Sequence, residues 1–244
     1  MKYIPIIATV LITCANVLFA QSQSTSNVPA ANQTKIRQYL DKALKETNAI
    51  TDEGELALSL QTIAWTQTKI GDVPAALKLV ERIEKDIKKE SLKRLVLVSA
   101  YRGIAYAQAR AGDLAAALLT AKKCGKIGGD KNEDGDSFAL QLISQAQAER
   151  GDLPSALSIA ETLDDATSKD YALQGIAQAQ VKAGDATGAR RTAEKITDDK
   201  LKAESLVIKA VSKEKPIDET EVTNRSTAYE RCRGYLDIAM SLIP

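Results

Sequence analysis

The sequence predicts an all-α protein made of stacked helix pairs, and three observations indicate this. Alanine is abundant and aromatic residues make up only 4% of the chain, which suits closely packed helices better than sheets. Apolar residues recur three, four and seven positions apart, the spacing of one helical face. The dipeptide Gly-Asp interrupts this pattern four times, as in "QARAGDLAAAL" at 108–118, and the pattern resumes at once.

Each Gly-Asp dipeptide is predicted to be a corner between two helices. Glycine adopts the left-handed conformation that ends a helix, and aspartate accepts backbone N–H groups at the start of the next. The four corners are Gly71–Asp72, Gly112–Asp113, Gly151–Asp152 and Gly184–Asp185. Since almost no loop separates the helices, each corner predicts an antiparallel helix pair.

Aligning the four units on their glycines reveals a repeat. Eight residues before each glycine stands an isoleucine, and seven before stands a small residue that lets neighbouring helices approach closely. Five residues after each glycine stands an alanine. A helix pair with this pattern cannot bury its apolar face alone, so we expect the units to stack on one another.

This pattern resembles the tetratricopeptide repeat (TPR), whose unit has two antiparallel helices, Gly-Asp at the turn and small residues at these positions. The resemblance covers about residues 57–200 and implies a right-handed α-solenoid. HEAT-type repeats are the alternative α-solenoid. We expect the helical repeat domain to occupy residues 35–244, with a helix at 35–50 covering the N-terminal end and C-terminal capping helices at 201–244.

The N-terminal sequence "MKYIPIIATVLITCANVLFA" predicts a signal peptide at residues 1–20. It contains one lysine, an apolar run too short to span a bilayer, and the small residue Ala20 before polar sequence. The polar residues 21–34 are predicted to form a flexible leader. We therefore expect a periplasmic or secreted protein without membrane insertion after signal removal. The alternative is lipoprotein anchoring at Cys14, which the neighbouring Thr13 disfavours.

Composition excludes several classes of function. Without Lys2, basic and acidic side chains are equal in number, so the chain has no electrostatic footprint for nucleic acid. The sequence has no histidine, which excludes Ser-His and Cys-His nucleophile pairs and zinc sites with histidine ligands. No pair of carboxylates stands in an apolar setting such as a glycosidase uses. We therefore predict no catalytic residues.

Two cysteines, Cys124 and Cys232, remain after signal removal. A disulfide between them requires Cα atoms within about 7 Å, so it depends on how the C-terminal helix folds back. Cys124 stands where other units have isoleucine or leucine, which favours a buried thiol.

A polar stripe along the first helices is the predicted binding face. Its positions, ten and six residues before each glycine, lie off the apolar face, and the TPR resemblance implies that they line a concave peptide-binding groove. The groove residues are Gln61, Trp65, Arg102, Tyr106, Gln141, Gln145, Gln174 and Gln178. The alternative is a solvated face with Trp65 packed against the N-terminal helix.

The segment "DKNEDGDSFALQ" at 130–141 resembles an EF-hand-like calcium loop. Oxygen-bearing side chains alternate before and after Gly135, and a helix follows. The candidate ligands of a weak calcium site are Asp130, Asn132, Asp134 and Asp136. Because neutral Gln141 stands where an acid closes such a site, a solvated insertion that caps the next helix is the favoured alternative. We expect no other cofactor.

These observations predict an exported, non-catalytic scaffold that binds a protein or peptide in its concave face. The alternative function is a structural spacer or envelope-associated protein, stabilised by calcium at the 130–141 loop.

Overall fold

The computed structural model describes residues 28–129, 135–205 and 219–243. Their regular secondary structure is entirely helical, which confirms the predicted all-α class. The predicted signal peptide, Cys14 and residues 21–27 of the predicted leader lie outside the described residues. The helices are α1 (Ala30–Glu46), a 3-10 turn (Thr47–Ala49), α2 (Glu53–Lys69), α3 (Val73–Asp86), α4 (Glu90–Ala111), α5 (Leu114–Gly128), α6 (Ser137–Glu149), α7 (Leu153–Glu161), α8 (Ala166–Lys182), α9 (Ala186–Ala193), α10 (Asp199–Ser205), α11 (Glu219–Thr223) and α12 (Ala228–Ser241).

The Gly-Asp corners have the predicted local geometry. Their glycines have φ angles between 78° and 90°, in the left-handed region. Each following aspartate accepts a hydrogen bond from the backbone N–H three residues later, so it caps the next helix. Its own N–H donates to a carbonyl five residues earlier, at 2.8–3.0 Å, which is the Schellman ending of the preceding helix.

The carbonyl that accepts this bond belongs to a glutamine in every unit, at Gln67, Gln108, Gln147 and Gln180. In two units the glutamine side chain also bridges to the second helix, where a threonine hydroxyl donates to its Oε1 at 2.7 Å. These pairs are Thr120–Gln108 and Thr192–Gln180. Leu79 stands at the equivalent place in the first unit. Among the described residues, Gln67 Oε1 is accordingly buried without a hydrogen-bond partner.

Replacing Gln67 with Met should raise the free energy of unfolding by about 1 kcal/mol, because it removes a buried, unpaired carbonyl oxygen. Gln180→Met is the matched control and should lower it, since the Thr192 hydroxyl then loses its acceptor. Urea denaturation followed by circular dichroism measures both. Equal effects of the two variants would contradict the assignment of Gln67 as unpaired.

The first helices of the units form a row in which each contacts the next: α2 packs against α4, α4 against α6, and α6 against α8. Each of the first three second helices contacts two neighbouring first helices: α3 contacts α2 and α4, α5 contacts α4 and α6, and α7 contacts α6 and α8. The isoleucines that recur in the repeat are fully buried in this arrangement, at Ile63, Ile104, Ile143 and Ile176.

The C-terminal helix α12 extends the row at its opposite end from α8. It packs against α1 and α2. At the other end of the row, α10 packs against α8 and α9. The α12 sequence "YLDIAM" at 235–240 matches the first-helix motif "LQTIAW" at 60–65, which explains why α12 packs in the row of first helices. Helix α12 therefore takes the place of a first helix and packs against α1, which has no first helix before it among the described residues.

Helix α1 begins earlier than predicted. It starts at Ala30, after Pro29, and Val28 is buried, so the predicted leader at 21–34 extends too far by several residues. Proline at this position fixes φ at −53°, close to the value of the first helical turn. The apolar residues Ile36, Leu40 and Ala43 then face the core at helical spacing.

Helix α5 packs directly against the backbone before α6. A Cβ atom added at Gly125 would lie 2.9 Å from the backbone nitrogen of Asp136, and one at Gly135 would lie 2.8 Å from the carbonyl carbon of Ala121. The Asp136 N–H donates to the Ala121 carbonyl at 3.0 Å. This close approach of two backbones fixes the start of α6.

Replacing Gly125 with Ala should lower the free energy of unfolding by about 1–3 kcal/mol, the usual cost of overpacking. Helix propensity alone predicts the opposite, a gain of about 1 kcal/mol. Gly128→Ala, in the same helix, is the control, because among the described residues its Cβ would meet Val98 Cγ2 alone, at 3.4 Å. Thermal melts of both variants test the prediction, and a stabilised Gly125→Ala protein would contradict it.

None of the helices in the described ranges combines the length and apolar character needed to cross a bilayer.

Candidate functional site

The C-terminal ends of the first helices surround a cavity of about 800 Å³, here called the main cavity. Residues from α2, α4, α6, α8 and α12 line it. Three of the predicted groove residues are among them, at the positions six before each glycine: Trp65, Tyr106 and Gln145. Met240 of α12 occupies the matching position of the "YLDIAM" motif and also lines the cavity.

Two glycines allow these side chains to lie between the helices. A Cβ at Gly103 would come within 2.9 Å of Trp65 Cε3, so the indole ring packs on the backbone of α4. A Cβ at Gly175 would come within 3.2 Å of Gln145 Cβ, so Gln145 packs similarly on α8. The bare backbone of each helix thus receives the groove side chain of the preceding unit.

Four of the five charged residues that line the main cavity stand two positions before the corner glycines, one turn after the predicted stripe. They are Lys69, Arg110, Glu149 and Lys182. Sequence reasoning missed them, because a charge in the last turn of a helix normally serves only the helix end and solvent. Their recurrence at one repeat position, one turn beyond Trp65 and Tyr106, was the available signal.

Aromatic rings and cations alternate in the main cavity. The Lys69 ammonium lies 5.0 Å from the ring centroid of Trp65 and 5.2 Å from that of Tyr106. The Arg110 guanidinium lies 5.7 Å from the Tyr106 ring, so two cations face this ring. These distances are within the range of cation–π attraction.

Glu149 carries the acidic charge of the main cavity among the described residues. It accepts hydrogen bonds from Tyr106 Oη at 3.2 Å and Gln145 Nε2 at 2.9 Å, and its Oε2 lies 3.9 Å from Arg110 Nε. Burial, together with the charge of Glu149, raises the pKa of Tyr106 to about 12. Tyr106 is therefore a neutral hydrogen-bond donor at physiological pH.

The remaining groove residues lie elsewhere. Gln61 and Arg102 line a second cavity of about 340 Å³ with Ser99 and Phe138, and Trp65 lines both cavities. Gln174 lines a third depression beside Asp170. Gln141 and Gln178 are half-buried and line neither of the cavities that contain Trp65. The predicted stripe is thus divided among separate surfaces.

Arg102 has a structural contact that the sequence did not reveal. Its Nε and Nη2 donate to the two carboxylate oxygens of Asp136 at 2.7 and 2.8 Å, and its guanidinium lies 5.0 Å from the Phe138 ring. Asp136 is buried and also accepts from Ala139 N–H at 2.7 Å, which caps α6. Both oxygens of Asp136 are therefore engaged within the protein. The other three calcium-ligand candidates lie outside the described residues.

Both described cysteines are buried, free thiols. Cys124 Sγ donates to the Val98 carbonyl at 3.4 Å. Burial raises the pKa of Cys124 to about 12 and that of Cys232 to about 11, so both remain protonated and unreactive at physiological pH.

No group of three or more acidic or cysteine side chains is arranged to hold a metal ion within residues 28–129, 135–205 and 219–243.

Comparisons with models of known protein families, with curated proteins and with solved structures found no significant match to this chain, so the resemblance to the tetratricopeptide repeat rests on the sequence motif alone.

Proposed function

We propose that this protein is an exported, non-catalytic scaffold whose TPR-like repeats form a right-handed α-solenoid and bind a protein or peptide on their concave face. The observation that supports this proposal is the main cavity, to which every first helix in the row contributes. Its volume of about 800 Å³ falls within the usual range of ligand sites, about 300–1,000 Å³.

The position of Trp65 favours an extended ligand over a compact one. Its side chain lines the main cavity on one side and the second cavity, with Gln61 and Phe138, on the other. A peptide that crosses Trp65 can place side chains in both cavities, and large aromatic side chains commonly dominate the energy of such contacts.

The residue types present in the chain favour binding over catalysis. The sequence has no histidine, and Asp72, Asp113, Asp152 and Asp185 each cap a helix. The signal-like residues 1–20 support export.

Selection of a displayed library of random dodecapeptides on the purified protein tests the proposal. Selected peptides should bind Trp65→Ala at least tenfold more weakly than the wild type, because the residue shared by both cavities is lost. Leu119→Ala is the control, since it removes an apolar side chain that is 70% exposed on α5, away from both cavities.

Arg102 should be left intact in this experiment, because its removal would break the ion pair with Asp136 and confuse stability with binding. Circular dichroism verifies that each variant keeps its helicity. Enrichment of no peptide, or equal binding by Trp65→Ala and wild type, would reject the groove and favour a spacer role.

A further inference from the structure

The main cavity concentrates positive charge in a chain that is nearly neutral. The whole sequence has a formal net charge of +1. Among the described residues that line the cavity, four are basic and one is acidic: Lys69, Arg110, Arg150 and Lys182 against Glu149. The lining therefore carries three more positive than negative charges.

The helix ends reduce this excess without removing it, whereas Glu149 is already counted in it. Each helix C-terminus carries about half a negative charge, so the ends of α2, α4, α6, α8 and α12 contribute about two and a half negative charges together. Glu149 is already placed beside Arg110 and accepts from Tyr106 and Gln145. A small positive excess remains, and Glu149 is the one carboxylate among the described residues that line the cavity.

Lys69 and Lys182 are the two cations best placed to meet a ligand. Neither forms an ion pair in the described parts of the chain, and they come from opposite ends of the row α2–α8. Lys69 contacts the faces of Trp65 and Tyr106 instead of a carboxylate. Burial lowers the pKa of Lys69; the charge of Glu149 raises it and the charges of Arg110 and Lys182 lower it, so that the pKa lies below its ordinary value.

We propose that the main cavity selects acidic peptides: a segment with one or more Asp or Glu side chains enters the cavity between Lys69 and Lys182, while neighbouring residues pass over Trp65 into the second cavity. This inference rests on the proposed peptide-binding function and adds the chemistry of the partner. Because Trp65 lines both cavities, a peptide that passes over it can reach both of them, whereas a small free anion would occupy the main cavity alone.

The dodecapeptide library tests this inference by the composition of the selected peptides. Peptides whose binding depends on Trp65 should be enriched in Asp and Glu, and Glu→Gln versions of them should bind at least tenfold more weakly. Their affinity should fall as salt is raised, since charge attraction is screened. Because Trp65 is the sole tryptophan, its fluorescence reports directly on occupancy.

A double variant and a matched control locate the charge dependence. Lys69→Gln with Lys182→Gln should weaken acidic peptides at least tenfold. Lys85→Gln with Lys126→Gln removes two lysines from the last turns of α3 and α5, outside the main cavity, and should leave binding unchanged. Both double variants remove the same charge from the same kind of helix position.

The outcomes separate the two proposals. Trp65-dependent peptides without acidic enrichment, or acidic peptides that bind both double variants equally, would overturn the acidic selection and leave the peptide-binding function standing. If no Trp65-dependent peptide is recovered, both fail. Displacement of the peptide by glutarate at the peptide's own concentration would identify a free dicarboxylate site and overturn the assignment to a peptide.

Discussion

Replacing Asp136 with Ala should lower the free energy of unfolding by about 3 kcal/mol, the lower part of the range for breaking a buried ion pair. Asp136 is buried, with both oxygens bonded to Arg102 and one also capping α6. The Arg102 side chain is 33% exposed, so water can solvate its guanidinium after Asp136 is removed and offset part of the lost ion pair. Urea denaturation at pH 7 measures the change.

Asp113→Ala is the matched control for Asp136→Ala. Asp113 also caps a helix, α5, by accepting a hydrogen bond from Ala116 N–H at 3.0 Å. Asp113 is exposed, so the substitution removes mainly this capping bond. Its loss should lower the free energy of unfolding by about 1 kcal/mol, as for other N-cap residues. If the two substitutions lowered the free energy of unfolding equally, the ion pair with Arg102 would contribute no stability beyond that of the helix cap.

Replacing Asp170 with Asn should lower the free energy of unfolding by about 2–3 kcal/mol at pH 7, because bonds to a buried charge are lost. Asp170 lies in α8 and is only 3% exposed. It accepts from Thr197 N–H at 3.0 Å, from the Thr197 hydroxyl at 2.6 Å and from Asp198 N–H at 2.9 Å. An asparagine NH₂ group would face these donors. Asp165→Asn, at the exposed N-cap of the same helix, is the control and should be nearly neutral.

The contribution of Asp170 should also depend on pH. Burial raises its pKa, but the hydrogen bonds from Thr197 and Asp198 outweigh burial and hold the pKa below its ordinary value. The ionised form therefore stabilises the folded state above the unfolded-state pKa, about 3.9, and this stabilisation disappears as the pH falls through the folded-state value. As the pH falls from about 5 through the folded-state pKa of Asp170, the free energy of unfolding should therefore decrease less for Asp170→Asn than for the wild type. Parallel acid dependences would contradict this role.

Local backbone features could be predicted because they depend on a few adjacent residues. The left-handed glycines and capping aspartates follow from the Gly-Asp dipeptide, and the buried isoleucines follow from helical periodicity. The start of α1 was placed too late, since Val28 and Pro29 carry no periodic signal of their own.

Contacts between units could not be predicted in the same way. Arg102 and Asp136 are 34 residues apart, and nothing in the spacing reveals that the predicted groove residue and the predicted calcium ligand neutralise each other. The basic residues of the main cavity recur in the repeat, but only the packing of α2, α4, α6 and α8 shows that their ends surround one space. The sequence predicts where a residue lies along its own helix, whereas it does not reveal which residues of other helices are its neighbours.

The pairing of α1 with α12 has a consequence for how the chain folds during synthesis. Ordinary stacked repeats can fold as they leave the ribosome, because each unit contacts only the one before it. Here the apolar side chains of α1 are covered only after residues 228–241 have been synthesised, so the first of the described helices gains its partner last. This raises the mean sequence separation of contacts and slows folding. Nascent chains halted before Ala228 should therefore expose Ile36 and Leu40 to chaperones and proteases.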